Sequence, residues 1–168
     1  MEMTRNHVAH LGRVPVSLPA TAMGYMMLVL RVAMGGMWLN AGLEKLFTPG
    51  GWSATGFLQH AATGPFAATF ASWSGPAVDN LVIWGEILIG ISLILGFGIR
   101  FAAFWGAVMA LFFYLSQFPP EHGLISERLI YALLFITLMT STVGTMLGVD
   151  AYLVNYQKKH HLLKYILC

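Results

Sequence analysis

Residues 80–97 read Asn-Leu-Val-Ile-Trp-Gly-Glu-Ile-Leu-Ile-Gly-Ile-Ser-Leu-Ile-Leu-Gly-Phe, an apolar run interrupted by a single carboxylate, Glu86. Apolar residues surround every face of such a segment if it is helical, so it cannot lie on the surface of a water-soluble domain with one side wet. Its length approaches the ~20 residues that cross a ~30 Å hydrocarbon layer. The chain around it has the same character: of 168 residues, 57% are hydrophobic and only 10% are charged, and the mean hydropathy is +0.69. That composition excludes an ordinary soluble globule and a disordered chain.

Three further segments have the same texture, about 21–47, 99–118 and 127–149. None shows the period-two alternation of a membrane β-barrel, so the expected fold is all-α, an integral membrane four-helix bundle. Residues 1–20 and 150–168 read as polar and basic tails flanking a transmembrane domain over 21–149. Met1 to Ala20 lacks the apolar core of a signal peptide. With four spans, Arg5, Arg13, Arg100, Lys158, Lys159 and Lys164 fall on one side of the membrane, and only Lys45 and Arg128 on the other. The positive-inside rule then puts both termini in the cytoplasm and the chain in the cell (plasma) membrane as a multi-pass protein.

The outer loop, 48–79, opens on Pro49-Gly50-Gly51 and is otherwise apolar, with Trp52 and Trp73 near its ends. A loop of that composition is expected to form one or two short interfacial helices over the mouth of the bundle. Docking on another subunit would explain it equally well.

Charges placed in oil mark candidate sites. Arg31, ten residues into the first span, is expected ~15 Å deep, where an unpaired guanidinium costs about 2.5–3.5 kcal/mol on insertion scales. Glu86 is its expected partner, directly or through water. Arg31, Gly35, Trp38, Gly42 and Lys45 form one stripe of the first helix, with Asn40 and Glu44 nearly opposite. Gly35 and Gly42 either admit a neighbouring helix or leave room for a flat ring beside Trp38, and in the second span Gly90 shares a face with Glu86. Ala102, Gly106 and Ala110 read as a packing seam.

Other chemistries lack their residues. Cys168 is the only cysteine, so no intrachain disulfide, redox pair or thiolate cluster forms. The histidines have no metal-site spacing, and no metal, haem or flavin motif is present. A net charge of +2 leaves no nucleic-acid footprint. A faint likeness between Leu30-Arg31-Val32-Ala33 and Ile99-Arg100-Phe101-Ala102 leaves a repeat-built transporter open.

An arginine early in the first helix, Gly42-Leu43-Glu44-Lys45, Gly56-Phe57, Pro65, Gly85-Glu86-Ile87-Leu88-Ile89-Gly90 and Leu93-Ile94-Leu95-Gly96, followed by Arg100 and Ala103, together resemble the DoxX/DoxD family from about Leu30 to Tyr114. The resemblance implies a four-helix membrane protein with Arg31, Lys45, Glu86 and Arg100 at the family's charged positions. DoxD is the membrane subunit of thiosulfate:quinone oxidoreductase and works with a smaller partner, DoxA. Nothing after Val149 resembles a fused DoxA, so a thiosulfate oxidase built on this chain is expected to need that partner separately.

These readings define the expectation for function. The chain is a membrane subunit of a quinone-linked oxidoreductase, with Glu86 and Arg31 exchanging protons at a quinone and Lys45, Trp38 and Trp84 binding substrate. Gly35, Gly42, Gly90 and Arg100 are structural, and the partners are membrane lipids and a separate redox subunit or larger membrane complex. The alternative is a non-catalytic accessory subunit that docks on and stabilises a larger membrane protein complex.

Overall fold

The computed structural model describes residues 8–11, 14–17, 22–120, 123–141, 143 and 147–151. A short antiparallel pair, β1 (Val8–Leu11) and β2 (Val14–Ser17), precedes the helices and adds order to a stretch read as a tail. Among the described residues the α-helices that follow are α1 (Ala22–Leu46), α2 (Thr55–His60), α3 (Ala67–Ser72), α4 (Pro76–Leu95), α5 (Ile99–Leu115) and α6 (Glu127–Thr140), with a 3₁₀ turn at Gly64–Phe66.

The four long helices pack in sequence, α1 on α4, α4 on α5 and α5 on α6. α1 and α4, of 25 and 20 residues, are long and apolar enough to cross a membrane. α5 has 17 residues and α6 has 14. The second long segment begins four residues before Asn80, because Gly75 supplies the N-cap and Pro76 the first helical position. Proline suits that position, where its missing N–H would have no helical partner.

The fourth segment is shorter than the expected 127–149. Ser141 takes ψ 162°, which ends α6, and its N–H donates back to the carbonyls of Thr137 and Leu138. Beyond it, Val143 and Leu147 meet Arg31, and Asp150 meets Gly96. At that same end α4 and α5 are joined through Gly96 and Gly98, both left-handed, with φ of 68° and 59°. Such values carry little strain only without a Cβ.

Glycine seats α1 against α4. A Cβ on Gly90 would lie 2.5 Å from the Leu39 nitrogen, one on Gly35 would lie 3.0 Å from the Gly90 oxygen, and one on Gly42 would lie 2.7 Å from Ile87 Cγ1. The space beside these glycines is filled by the facing helix, so it holds no ring. Across the bundle, Trp38 is 5% exposed; its ring meets Phe135 edge-on at 4.9 Å and stacks near Phe113 at 6.3 Å. It ties α1 to α5 and α6.

The apolar loop does form two short helices. α2 and α3 enclose a small core of Ala54, Leu58 and Phe70, packed against Val78 and Leu115 beneath. Two polar links fix this cap: Ala54 N–H donates to Asp79 Oδ1 at 2.7 Å, and Thr63 N–H donates to the Ser116 carbonyl at 2.9 Å.

Candidate functional site

The expected Arg31–Glu86 pair does not form. Gly96 sits beside Arg31, since a Cβ there would lie 2.9 Å from Arg31 Nη1. The first turns of α1 therefore extend past the α4–α5 turn, and Arg31 is level with the end of that hairpin. Glu86 is ten residues up α4 from Gly96, ~15 Å along the axis. Sequence position measured depth from the start of α1, and α1 begins too early for that measure to hold.

Arg31 is 1% exposed and spends its guanidinium on backbone. Nη1 donates to the Val143 carbonyl at 2.9 Å, and Nη2 donates to the Leu147 carbonyl at 3.3 Å. Both carbonyls lie past the end of α6, and Arg31 supplies donors to backbone acceptors that would otherwise be costly to bury.

Asp150, which the sequence reading assigned to the basic tail, is fully buried in the same place. Its Oδ1 accepts from Gly98 N–H at 2.8 Å and its Oδ2 from Ile99 N–H at 3.3 Å. Its own N–H donates to the Gly96 carbonyl at 2.9 Å. A carboxylate at a helix N-terminus satisfies open donors and complements the positive end of the helix. The available signal was Gly98, an N-cap with no side chain, which requires an acceptor from elsewhere in the chain. Arg100 follows in the first turn of α5 and lines an open surface pocket with Phe101, Phe104, Met139 and Thr140.

Glu86 instead pairs with Lys45. Lys45 Nζ donates to Glu86 Oε2 at 2.7 Å, with side-chain exposures of 22% and 5%, and also to the Ala41 carbonyl at 3.3 Å. The α1–α4 contacts explain the partnership. Gly42 meets Ile87, so the residue one turn above Gly42 reaches Glu86. Glu44 is occupied elsewhere, accepting from Asn40 Nδ2 at 2.6 Å on the outer face of α1.

Above this pair lies a cavity of about 350 Å³. Lys45 and Glu86 contribute its charged floor, Val82, Met109 and Phe113 its walls, and Trp52, Phe57, Phe70 and Trp73 its aromatic cover; Arg128 also lines it. Lys45 Nζ stands 5.4 Å from the centre of the Trp52 ring, within cation–π range. The volume and the apolar walls with few polar groups are typical of a small-molecule site.

Of the residues singled out from sequence, only Lys45 and Glu86 meet in this cavity. Trp38 is buried in the bundle core. Trp84, 49% exposed, is on the outside of α4. The cover residues Trp52, Phe57, Phe70 and Trp73 went unassigned to a site, because nothing in their spacing shows that α2 and α3 fold back over Glu86. Among the described residues no group of three or more His, Cys, Asp or Glu side chains is placed to hold a metal ion. His122, His160, His161 and Cys168 lie outside the described residues.

No curated protein and no solved structure matches the chain. The family model for DoxX matches residues 26–117, more than half of the chain and a stretch that contains α1 through α5 almost entire. With the apolar lengths of α1 and α4, this establishes the chain as a membrane protein that belongs to the DoxX family.

Proposed function

We propose that this chain is the quinone-binding membrane subunit of an oxidoreductase, with α1, α4, α5 and α6 all crossing the plasma membrane and both termini cytoplasmic. Thiosulfate:quinone oxidoreductase is the best-defined activity of that kind. The observation that carries the reading is the Lys45–Glu86 pair on the floor of an apolar, aromatic-covered cavity.

A quinone ring is flat and apolar, with a carbonyl oxygen at each end. Trp52, Phe57, Phe70 and Trp73 offer faces and edges for such a ring, and the Lys45 ammonium is the donor for one carbonyl. Two-electron reduction places negative charge on the oxygens, and each takes one proton to give the quinol. Lys45 can pass one proton to the oxygen that it faces, with Glu86 holding it in place as the ammonium, and water at the Arg128 rim supplies the proton for the far oxygen and reprotonates Lys45. The electrons come from a partner redox subunit, which oxidises the donor. A sulfur oxyanion approaching from outside would meet Arg128, since Glu86 neutralises Lys45.

The test is donor-dependent quinone reduction in membranes containing the chain and its redox partner, with thiosulfate as the donor. Glu86→Gln and Lys45→Met are each expected to lower the rate at least tenfold. Unchanged rates in both variants, with loss of activity only when the whole chain is removed, would replace this reading with that of an accessory subunit.

A further inference from the structure

Outside the cavity, an apolar groove of about 400 Å³ runs down the α4–α5 face. Leu81, Met109 and Phe112 line both the cavity and the groove, so the two are neighbours across a wall one side chain thick. From Leu81 to Ser92 the groove spans eleven residues of α4, ~16 Å of axial length. Its lining has almost no polar surface.

Met109 forms the wall. It lies against Gly85, where a Cβ would be 2.8 Å from its sulfur. The absence of a side chain at 85 is what lets the thioether rest between α4 and α5. Methionine has three rotatable bonds and no branch, which makes it the most adaptable of the three side chains that the cavity and groove share. Leu81 and Phe112 flank the passage and are 65% and 42% exposed.

We infer that the groove holds the hydrocarbon tail of the same ligand whose ring occupies the cavity, with Met109 as the movable wall between them. The inference rests on the quinone reading of the cavity and adds the substrate class: a ring bearing a long prenyl chain, drawn laterally from the bilayer. Two observations favour that occupant over a separate one: the groove shares lining residues with the cavity, and it is almost wholly apolar where the cavity carries the Lys45–Glu86 pair.

The experiment uses the full chain in lipid nanodiscs and follows quenching of its tryptophan fluorescence, since Trp52 and Trp73 border the cavity. The probes are 2-methyl-1,4-naphthoquinone and the same ring carrying a prenyl chain. The variants are Ser92→Phe on α4 and Val108→Phe on α5, which fill the groove from opposite walls and lie away from the Lys45–Glu86 pair. In the unmodified chain the prenylated ring is expected to bind at least tenfold more tightly than the bare ring. Both variants are expected to abolish that advantage while leaving the bare ring's affinity within twofold. Retention of the advantage in both variants, or equal weakening of both probes, overturns the tail path while the ring site stands. Absence of saturable quenching by either probe in the unmodified chain overturns the ring site and the tail path together.

Discussion

Lys45 Nζ and Glu86 Oε2 are 2.7 Å apart, although Arg31 stands fourteen residues earlier on the same stripe of α1 as the other cation available to that carboxylate. The choice follows from the register of α1 on α4, set where Gly35, Gly42 and Gly90 remove the side chains that would hold the helices apart. Moving the register by about four turns would exchange the partners.

Lys45→Met leaves the Glu86 carboxylate almost enclosed without its cation. Removing one member of a buried pair costs about 3–5 kcal/mol, and the partial exposure of Lys45 puts the expected loss near the lower end. Adding Glu86→Leu should recover most of it, because the second change removes the stranded charge. Thermal unfolding of the two single variants and the double variant in detergent checks this, and additive losses would contradict it.

Gly90→Ala and Gly36→Ala should act in opposite directions. A Cβ at Gly90 meets backbone on α1 at 2.5 and 2.8 Å, whereas one at Gly36 meets nothing within 4 Å. Overpacking at Gly90 is expected to destabilise by about 1–3 kcal/mol. At Gly36, alanine should stabilise by up to about 1 kcal/mol through helix propensity alone. Melting temperatures of both variants decide it.

Asp150→Ala removes two acceptors from the start of α5, and a lost helix cap costs about 0.5–2 kcal/mol. Asp150→Asn keeps one side-chain carbonyl and should lose less. Hydrogen exchange at the Gly98 and Ile99 amides should accelerate in the alanine variant and not at Ala54, whose N–H is held by Asp79 at the far end.

Arg31→Met should free the segment around Val143 and Leu147 to proteolysis while leaving quinone affinity within twofold. Its guanidinium serves those carbonyls and lies fourteen residues, ~21 Å along α1, from Lys45 in the cavity. A tenfold loss of affinity in Arg31→Met, with the protein still folded, would place Arg31 in the site after all.

Single cysteines at Gly51, Phe97 and Gly123, in a chain carrying Cys168→Ser, test the four-crossing arrangement. An impermeant thiol reagent applied to intact cells should label positions 51 and 123 and spare 97. Labelling of 97 would overturn the assigned orientation.

The sequence alone determined that the chain is helical, apolar over its long segments and a member of the DoxX family, because lengths of uncharged sequence and short motifs are local properties. It also marked Arg31, Lys45 and Glu86, since charge inside an apolar run is conspicuous wherever it falls. Which cation meets Glu86 was not a local matter. It depends on how far α1 slides along α4, and close glycine contacts set that to within a turn. The same is true of Asp150, fifty-two residues from the Gly98 amide it accepts from, and of the aromatic cover, which reaches Glu86 only because α2 and α3 fold back over α4 and α5. Helices are written in the spacing of neighbours along the chain; a site made where separate helices touch is decided by their packing.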